Sequence, residues 1–281
     1  MTETVSPALG LMTADALQTA LRGGTPPQVL DCSWYLDGRS GAALFEAGHI
    51  PGARHIDIDR VCDPQSPLPH MLPPTQQLAQ ALGDLGLRRE RPVVLYDQQG
   101  LFAAPRVGWM LQIGGFDDVA ILDGGLPAWL EVGGSVDTGP NESGPPVTLE
   151  PVWRPARLID RRELDAALND PRCRVLDARP PERFQGLVDE PRPGLRRGHM
   201  PGAVNVPFRS LLTDDGRLLP VPDLAARFAE VGLKAQQTAI LSCGSGVTAA
   251  ILGLALDRIG HTRWRLYDGS WAEFGAEFGA E

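Results

Sequence analysis

Short apolar runs alternate along the chain with longer segments whose apolar positions recur at helical spacing. Val29-Leu30-Asp31, Pro92–Tyr96, Val119–Leu122, Val175-Leu176-Asp177 and Ala239–Ser242 read as short buried strands. Residues 14–22, 75–85, 103–112 and 249–259 read as helices, and the last is apolar nearly all round, so it belongs in an interior. Such alternation predicts an α/β fold with mainly parallel sheets covered by helices on both faces.

The pattern occurs twice. Val29-Leu30-Asp31 is echoed by Val175-Leu176-Asp177, and His49-Ile50-Pro51-Gly52-Ala53 by His199-Met200-Pro201-Gly202-Ala203. The strand Val93–Tyr96 is echoed by Ala239–Ser242, and Leu122-Asp123-Gly124 by Tyr267-Asp268-Gly269. Four matches in one order imply a duplicated domain. The Gly- and Pro-rich stretch over 133–151 reads as the connection. We expect a first domain over 1–138, a linker over 139–151 and a second domain over 152–281.

Duplication sorts residues. His49 and His199 recur and are assigned to the turn before Pro-Gly, and the Asp-Gly turns at Asp123 and Asp268 to structure. Cys243 does not recur. It follows a strand and opens Cys243-Gly244-Ser245-Gly246-Val247-Thr248, where the first half has Asp97-Gln98-Gln99-Gly100-Leu101-Phe102. The residues alone leave two readings, a buried free cysteine or a nucleophile in a cradle of backbone amides at a helix N-terminus, where a thiolate is favoured. Its absence from the first half favours the nucleophile.

Composition narrows the class. With 281 residues and a formal net charge of −9, the chain is not expected to bind nucleic acid. No run approaches a membrane span and no secretory leader is legible, so no membrane partner is expected and the reading is cytoplasmic. The four cysteines, Cys32, Cys62, Cys173 and Cys243, form no C-x-x-C pair, so no metal site and no cofactor are expected.

Phe45 to Ala53 (F-E-A-G-H-I-P-G-A), Tyr267 to Phe274 (Y-D-G-S-W-A-E-F) and the loop C-G-S-G-V-T together resemble the signatures of the two-domain rhodanese-like sulfurtransferases. The loop is most similar to that of the mercaptopyruvate-using members; thiosulfate-preferring ones typically carry Arg-Lys where this chain has Gly244-Ser245. The resemblance implies two tandem rhodanese-like domains, the first catalytically empty. It implies transfer of sulfur from a small anionic donor, 3-mercaptopyruvate, through a Cys243 persulfide to a thiol, a thioredoxin-type protein or cyanide. Thiosulfate:cyanide transfer and a non-catalytic persulfide carrier are the alternatives. Gly244, Gly246, Val247 and Thr248 would cradle the substrate, and Arg183 and Arg192 would hold its carboxylate and keto oxygen. Asp59, His70 and Ser245 match a family set that polarises the substrate and passes protons. Phe102 stands where relatives often have Tyr. The phosphatases that share this fold need an Arg six residues after the cysteine, and here that residue is Ala249.

Overall fold

The computed structural model describes residues 7–140 and 144–276, so residues 141–143 of the expected linker and the two chain ends lie outside the described residues. The first half runs β1 (Gly10–Met12), α1 (Ala14–Leu21), β2 (Gln28–Asp31), α2 (Gly41–Ala47), β3 (Arg54–His55), α3 (Thr75–Asp84), β4 (Val93–Tyr96), α4 (Ala104–Ile113), β5 (Val119–Leu122) and α5 (Gly125–Glu131). The second runs β6 (Leu158–Ile159), α6 (Arg161–Ala167), β7 (Cys173–Asp177), α7 (Pro181–Phe184), β8 (Val204–Asn205), α8 (Val221–Glu230), β9 (Thr238–Ser242), α9 (Ala249–Arg258), β10 (Trp264–Tyr267) and α10 (Ser270–Phe274). The sheets have the same strand order, β1-β5-β4-β2-β3 and β6-β10-β9-β7-β8, and every pair is parallel. Each is an α/β sandwich of the kind the alternating pattern predicts. The pattern does not reveal β1, β3, β6, β8 and β10. The first four are edge strands of two or three residues, too short to carry a period, and Arg265 interrupts the apolar run of β10. Ile56-Asp57-Ile58-Asp59, which alternates as a strand would, follows β3 outside the sheet and still buries both isoleucines.

Each sheet buries two faces differently. The outer face of the first packs Leu17 of α1, Phe45 of α2 and Trp129 of α5 over β2 and β4; the second repeats this with Leu164, Trp271 and Phe274. The inner faces merge into one core that runs through both halves. At its centre α4 packs on α9, each helix having its own sheet on one side and its counterpart on the other. That is why α9 reads as apolar all round and why every residue of α4 is buried.

Polar ties cross this interface. Asp123 Oδ1 accepts the Leu218 amide at 2.9 Å, and its repeat counterpart Asp268 accepts the Leu72 amide through Oδ2 at 2.7 Å. Asp257 of α9 binds Arg157 through two bonds of 2.8 Å, the Trp264 indole at 2.8 Å and the Leu9 amide at 3.0 Å. Arg157 in turn accepts the Trp109 indole on its carbonyl at 3.0 Å. The chain leading up to Arg157 is strapped to the first half: Val147 donates to Gly83 and Arg154 to Ile113, both at 2.9 Å. His49 and His199 stack on Phe45 and Phe184 and donate Nδ1–H to their carbonyls at 2.8 Å, the turn-holding role the repeat assigns them.

Asp257 therefore joins the first strand, the second sheet and the α4–α9 seam. Asp257→Ala removes the carboxylate that faces the buried Arg157 charge and is expected to cost about 3–5 kcal/mol of stability. Urea unfolding followed by tryptophan fluorescence measures this; a loss below about 1 kcal/mol, as for an exposed pair, would show the tie to be dispensable.

Candidate active site

The parallel sheets put their loop-bearing strand ends on the same side of the interface, where α/β sheets present ligand sites. Cys243 directly follows β9, with its carbonyl accepting the Trp271 amide at 3.0 Å and its own amide donating to Ser270 Oγ at 3.2 Å. The loop then turns at Gly246, whose φ of +75° matches the +91° of Gly100 in the first half. Cys243 is 2% exposed at the floor of a cleft of about 300 Å³. Gly244, Ser245, Val247 and Thr248 line that cleft from the second half, and Trp34, Tyr35 and Phe102 from the first. Phe102 stacks on Trp34 and meets Phe208 edge-on, so its place is an aromatic wall without a hydroxyl.

Both arginines singled out by sequence reach the cleft. Arg183 is ion-paired with Glu190, which also binds Arg179 at 2.8 Å, and Arg179 is locked to Asp177 in a fork. Arg192 has no carboxylate partner among the described residues; burial lowers its pKa, with the Cys243 charge the main opposing influence. Glu190 thus orients two guanidiniums, and Arg192 stands beside them without such a pairing. Gly244 leaves them room, because a Cβ there would stand 3.0 Å from Arg183 Nη2 and 3.9 Å from Arg192 Nη1.

From the first half, His70 meets the loop. Its Nδ1 lies 3.0 Å from Ser245 Oγ and its Nε2 2.8 Å from Asp59 Oδ1. A carboxylate only accepts, so Nε2 carries the proton and Nδ1 accepts the Ser245 hydroxyl. Burial pushes the imidazole below its ordinary pKa; Asp59 opposes this, while Arg106 and Arg192 reinforce it, so the ring is neutral at pH 7. Trp34 donates its indole N–H to Asp59 Oδ2 at 2.8 Å and presents its ring edge to His70. The Trp34 and Glu190 contacts have no local signature in the sequence, because each depends on chain brought together by the fold. Cys62 is half-buried with its thiol on the Asp59 carbonyl, and burial raises its pKa, with nearby Asp59, Asp57 and Asp63 adding to the effect.

The equivalent cradle in the first half is occupied by its own chain. Asp97 accepts the amides of Phe102, Ala103 and Ala104 at 2.8, 3.0 and 2.9 Å. Among the described residues no cluster of three His, Cys, Asp or Glu side chains is placed to hold a metal, and no helix is long and apolar enough to cross a membrane.

The model of the Rhodanese-like domain matches residues 13–132 and 160–277. The chain belongs to the rhodanese-like family. It is 41% identical over 238 residues to the 3-mercaptopyruvate sulfurtransferase of Escherichia coli K12, covering 85% of this chain and 84% of that protein. To the human 3-mercaptopyruvate sulfurtransferase it is 38% identical over 265 residues, covering 93% and 89%. Its structure resembles the crystal structure of SseA from Escherichia coli, described as a 3-mercaptopyruvate sulfotransferase, with a TM-score of 0.85 and 36% identity over 94% of this chain and 99% of that one. These rhodanese-like relatives share both halves.

The buried Asp97 gives a pH test of the empty cradle. Desolvation pushes its pKa up to about 7 against the pull of the three amides. The fold therefore favours the protonated form, and this contribution to stability is full below the unfolded carboxyl pKa and is lost as pH rises to about 7. Relative to Asp97→Asn, the native chain is expected to lose on the order of 2 kcal/mol between pH 5 and pH 8. Denaturant unfolding at four pH values reads this, and a pH-independent difference would mean that Asp97 is already ionised throughout.

Proposed function

We propose that this rhodanese-like protein is a sulfurtransferase that takes sulfur from 3-mercaptopyruvate through a persulfide on Cys243. The observation that carries this reading is the Ser245–His70–Asp59 chain standing beside a cysteine in an arginine-rimmed cleft. The names of the bacterial and human relatives support the same donor. In our reading the second domain, 152–281, carries the nucleophile, and the first, 1–138, supplies Asp59 and His70 across the linker over 139–151.

Arg192 and Arg183 hold the carboxylate and keto oxygen of the donor, with planar guanidiniums suited to both. The Cys243 thiolate attacks the donor sulfur. The new S–S bond forms as the C–S bond breaks, and its electron pair passes to carbon, so pyruvate leaves as its enolate. Neutral His70 takes the donor's thiol proton by way of Ser245 Oγ, and the same path returns a proton to the enolate. Asp59 stabilises the transient imidazolium. The amides of the Gly244–Thr248 loop stabilise charge on the outer sulfur. A thiol, a thioredoxin-type protein or, in an assay, cyanide then removes that sulfur and restores the thiolate. We place the reaction in the cytoplasm, since the four free thiols suit a reducing compartment.

A relative from Arabidopsis thaliana named thiosulfate/3-mercaptopyruvate sulfurtransferase, 33% identical over 98% of this chain and 78% of that protein, supports thiosulfate as a second donor. It needs no proton relay, because sulfite leaves with its charge.

Cys243→Ser is expected to abolish transfer from either donor, whereas Cys62→Ser and Cys173→Ser retain most of it. Intact mass after exposure to each donor shows which cysteine gains sulfur, and turnover by the Cys243 variant would end this mechanism. Arg192→Ala should raise KM for 3-mercaptopyruvate about ten- to a hundredfold, the loss of one charge-assisted bond. Unchanged kinetics would place that side chain in solvent.

A further inference from the structure

The two halves align in sequence residue for residue around the loops that cross the interface, with one residue fewer in the second half before Asp268, and the departures from symmetry are informative. Leu72 corresponds to Leu218 and Asp268 to Asp123, and both Asp–amide ties exist. His70 corresponds to Gly216, and both have left-handed backbone, φ +61° and +78°. A glycine adopts that conformation freely, whereas a histidine there is strained and must be held. In the empty arrangement the Gly216 carbonyl takes the Leu101 amide at 3.1 Å. In the other, the His70 carbonyl takes Arg106 Nη2 at 2.6 Å.

Arg106 lies on α4, and its counterpart on α9 is Leu252. Its side chain is fully buried, its guanidinium lies 4.4 Å from the Trp109 ring, and Nη1 approaches Asp268 Oδ1 at 2.6 Å. That approach is a charge contact rather than an aligned hydrogen bond, and Nε finds no acceptor among the described residues. A buried charge so incompletely satisfied is a poor device for stability alone. Gly246 completes the arrangement, since a Cβ there would stand 2.8 Å from Arg106 Nη1 and 3.1 Å from the Asp268 carbonyl.

We propose that Arg106, anchored by Asp268, is a positioning residue that holds the strained His70 backbone so that its imidazole meets Ser245. This rests on the relay reading of His70 given above. Asp268 grips both ends of the segment, binding the Leu72 amide directly and the His70 carbonyl through Arg106. The segment is thereby fixed to the nucleophile's own domain.

The test is a cycle on the full chain. Arg106→Leu with Asp268→Asn removes both charges together, installs the counterpart Leu, and keeps an acceptor for Leu72. It is expected to lower kcat for 3-mercaptopyruvate at least about tenfold, since positioned proton transfer is worth about 10²–10⁴. KM should change less than kcat, and sulfur loading of Cys243 by thiosulfate, read by intact mass, should persist. In a His70→Ala background the same pair should cost no more than about twofold further, because it acts through His70. Arg106→Lys, which keeps the charge but not the fork that reaches the His70 carbonyl, should lose kcat in the same direction and serves if the double variant does not fold. A clamp variant with undiminished kcat, or one whose loss is repeated in full without His70, would overturn the proposal while leaving the relay standing. If His70→Ala alone leaves kcat for 3-mercaptopyruvate unchanged, the relay falls and the clamp with it.

Discussion

Everything in this molecule depends on two helices that have no outside. α4 and α9 each follow the loop at the end of a central strand, and each is covered by its own sheet and by the other helix. A helix buried all round cannot be left at a surface without exposing a large apolar area, so neither half can shed its partner cheaply. The packing brings two strand-end loops to one place: the Cys243 loop of one half and the His70 segment of the other. The Cys243 loop and the hydrogen-bonded row Ser245–His70–Asp59 are thus divided between two sheets and joined by the core.

The electrostatics of the cleft follow a similar economy. Arg179, Arg183 and Arg192 of the second half line the cleft with Cys243, together with Arg209, in a chain with formal net charge −9. Glu190 and Asp177 neutralise the inner two and fix their planes, so local attraction for an anion comes from Arg192 and from amides rather than from the global field. The rigidity of the Asp177–Arg179–Glu190–Arg183 chain matters as much as its charge, because a planar clamp discriminates by direction.

Much of this was legible in the chain. Short apolar runs located the strands β2, β4, β5, β7 and β9, and helical stripes the helices between them, because buried elements write their surroundings into their own composition and spacing. The internal repeat exposed the unique Cys243, and the resemblance named Asp59, His70, Ser245, Arg183 and Arg192; Ser245 and the two arginines line the cleft with Cys243, and His70 and Asp59 stand behind Ser245 in a hydrogen-bonded row. Edge strands such as β3 escaped because two residues carry no period. Arg106 escaped for a different reason: a single cation inside an apolar helix reads as an exposed face, and only the packing of α4 on α9 shows it sealed in. Asp268 was seen only as half of an Asp-Gly turn, since its reach to Leu72 spans the interface.

The Asp97 carboxylate in its ring of three amides has a further meaning. The first half still presents a ring of three amide donors, and its own carboxyl group fills that ring. Both loops turn at a glycine of positive φ, Gly100 and Gly246, and Phe102 and Ala103 correspond to Thr248 and Ala249, so the same backbone positions follow Asp97 in one half and Cys243 in the other. One half of the molecule thus closes with its own side chain a loop that in the other half opens on the cleft.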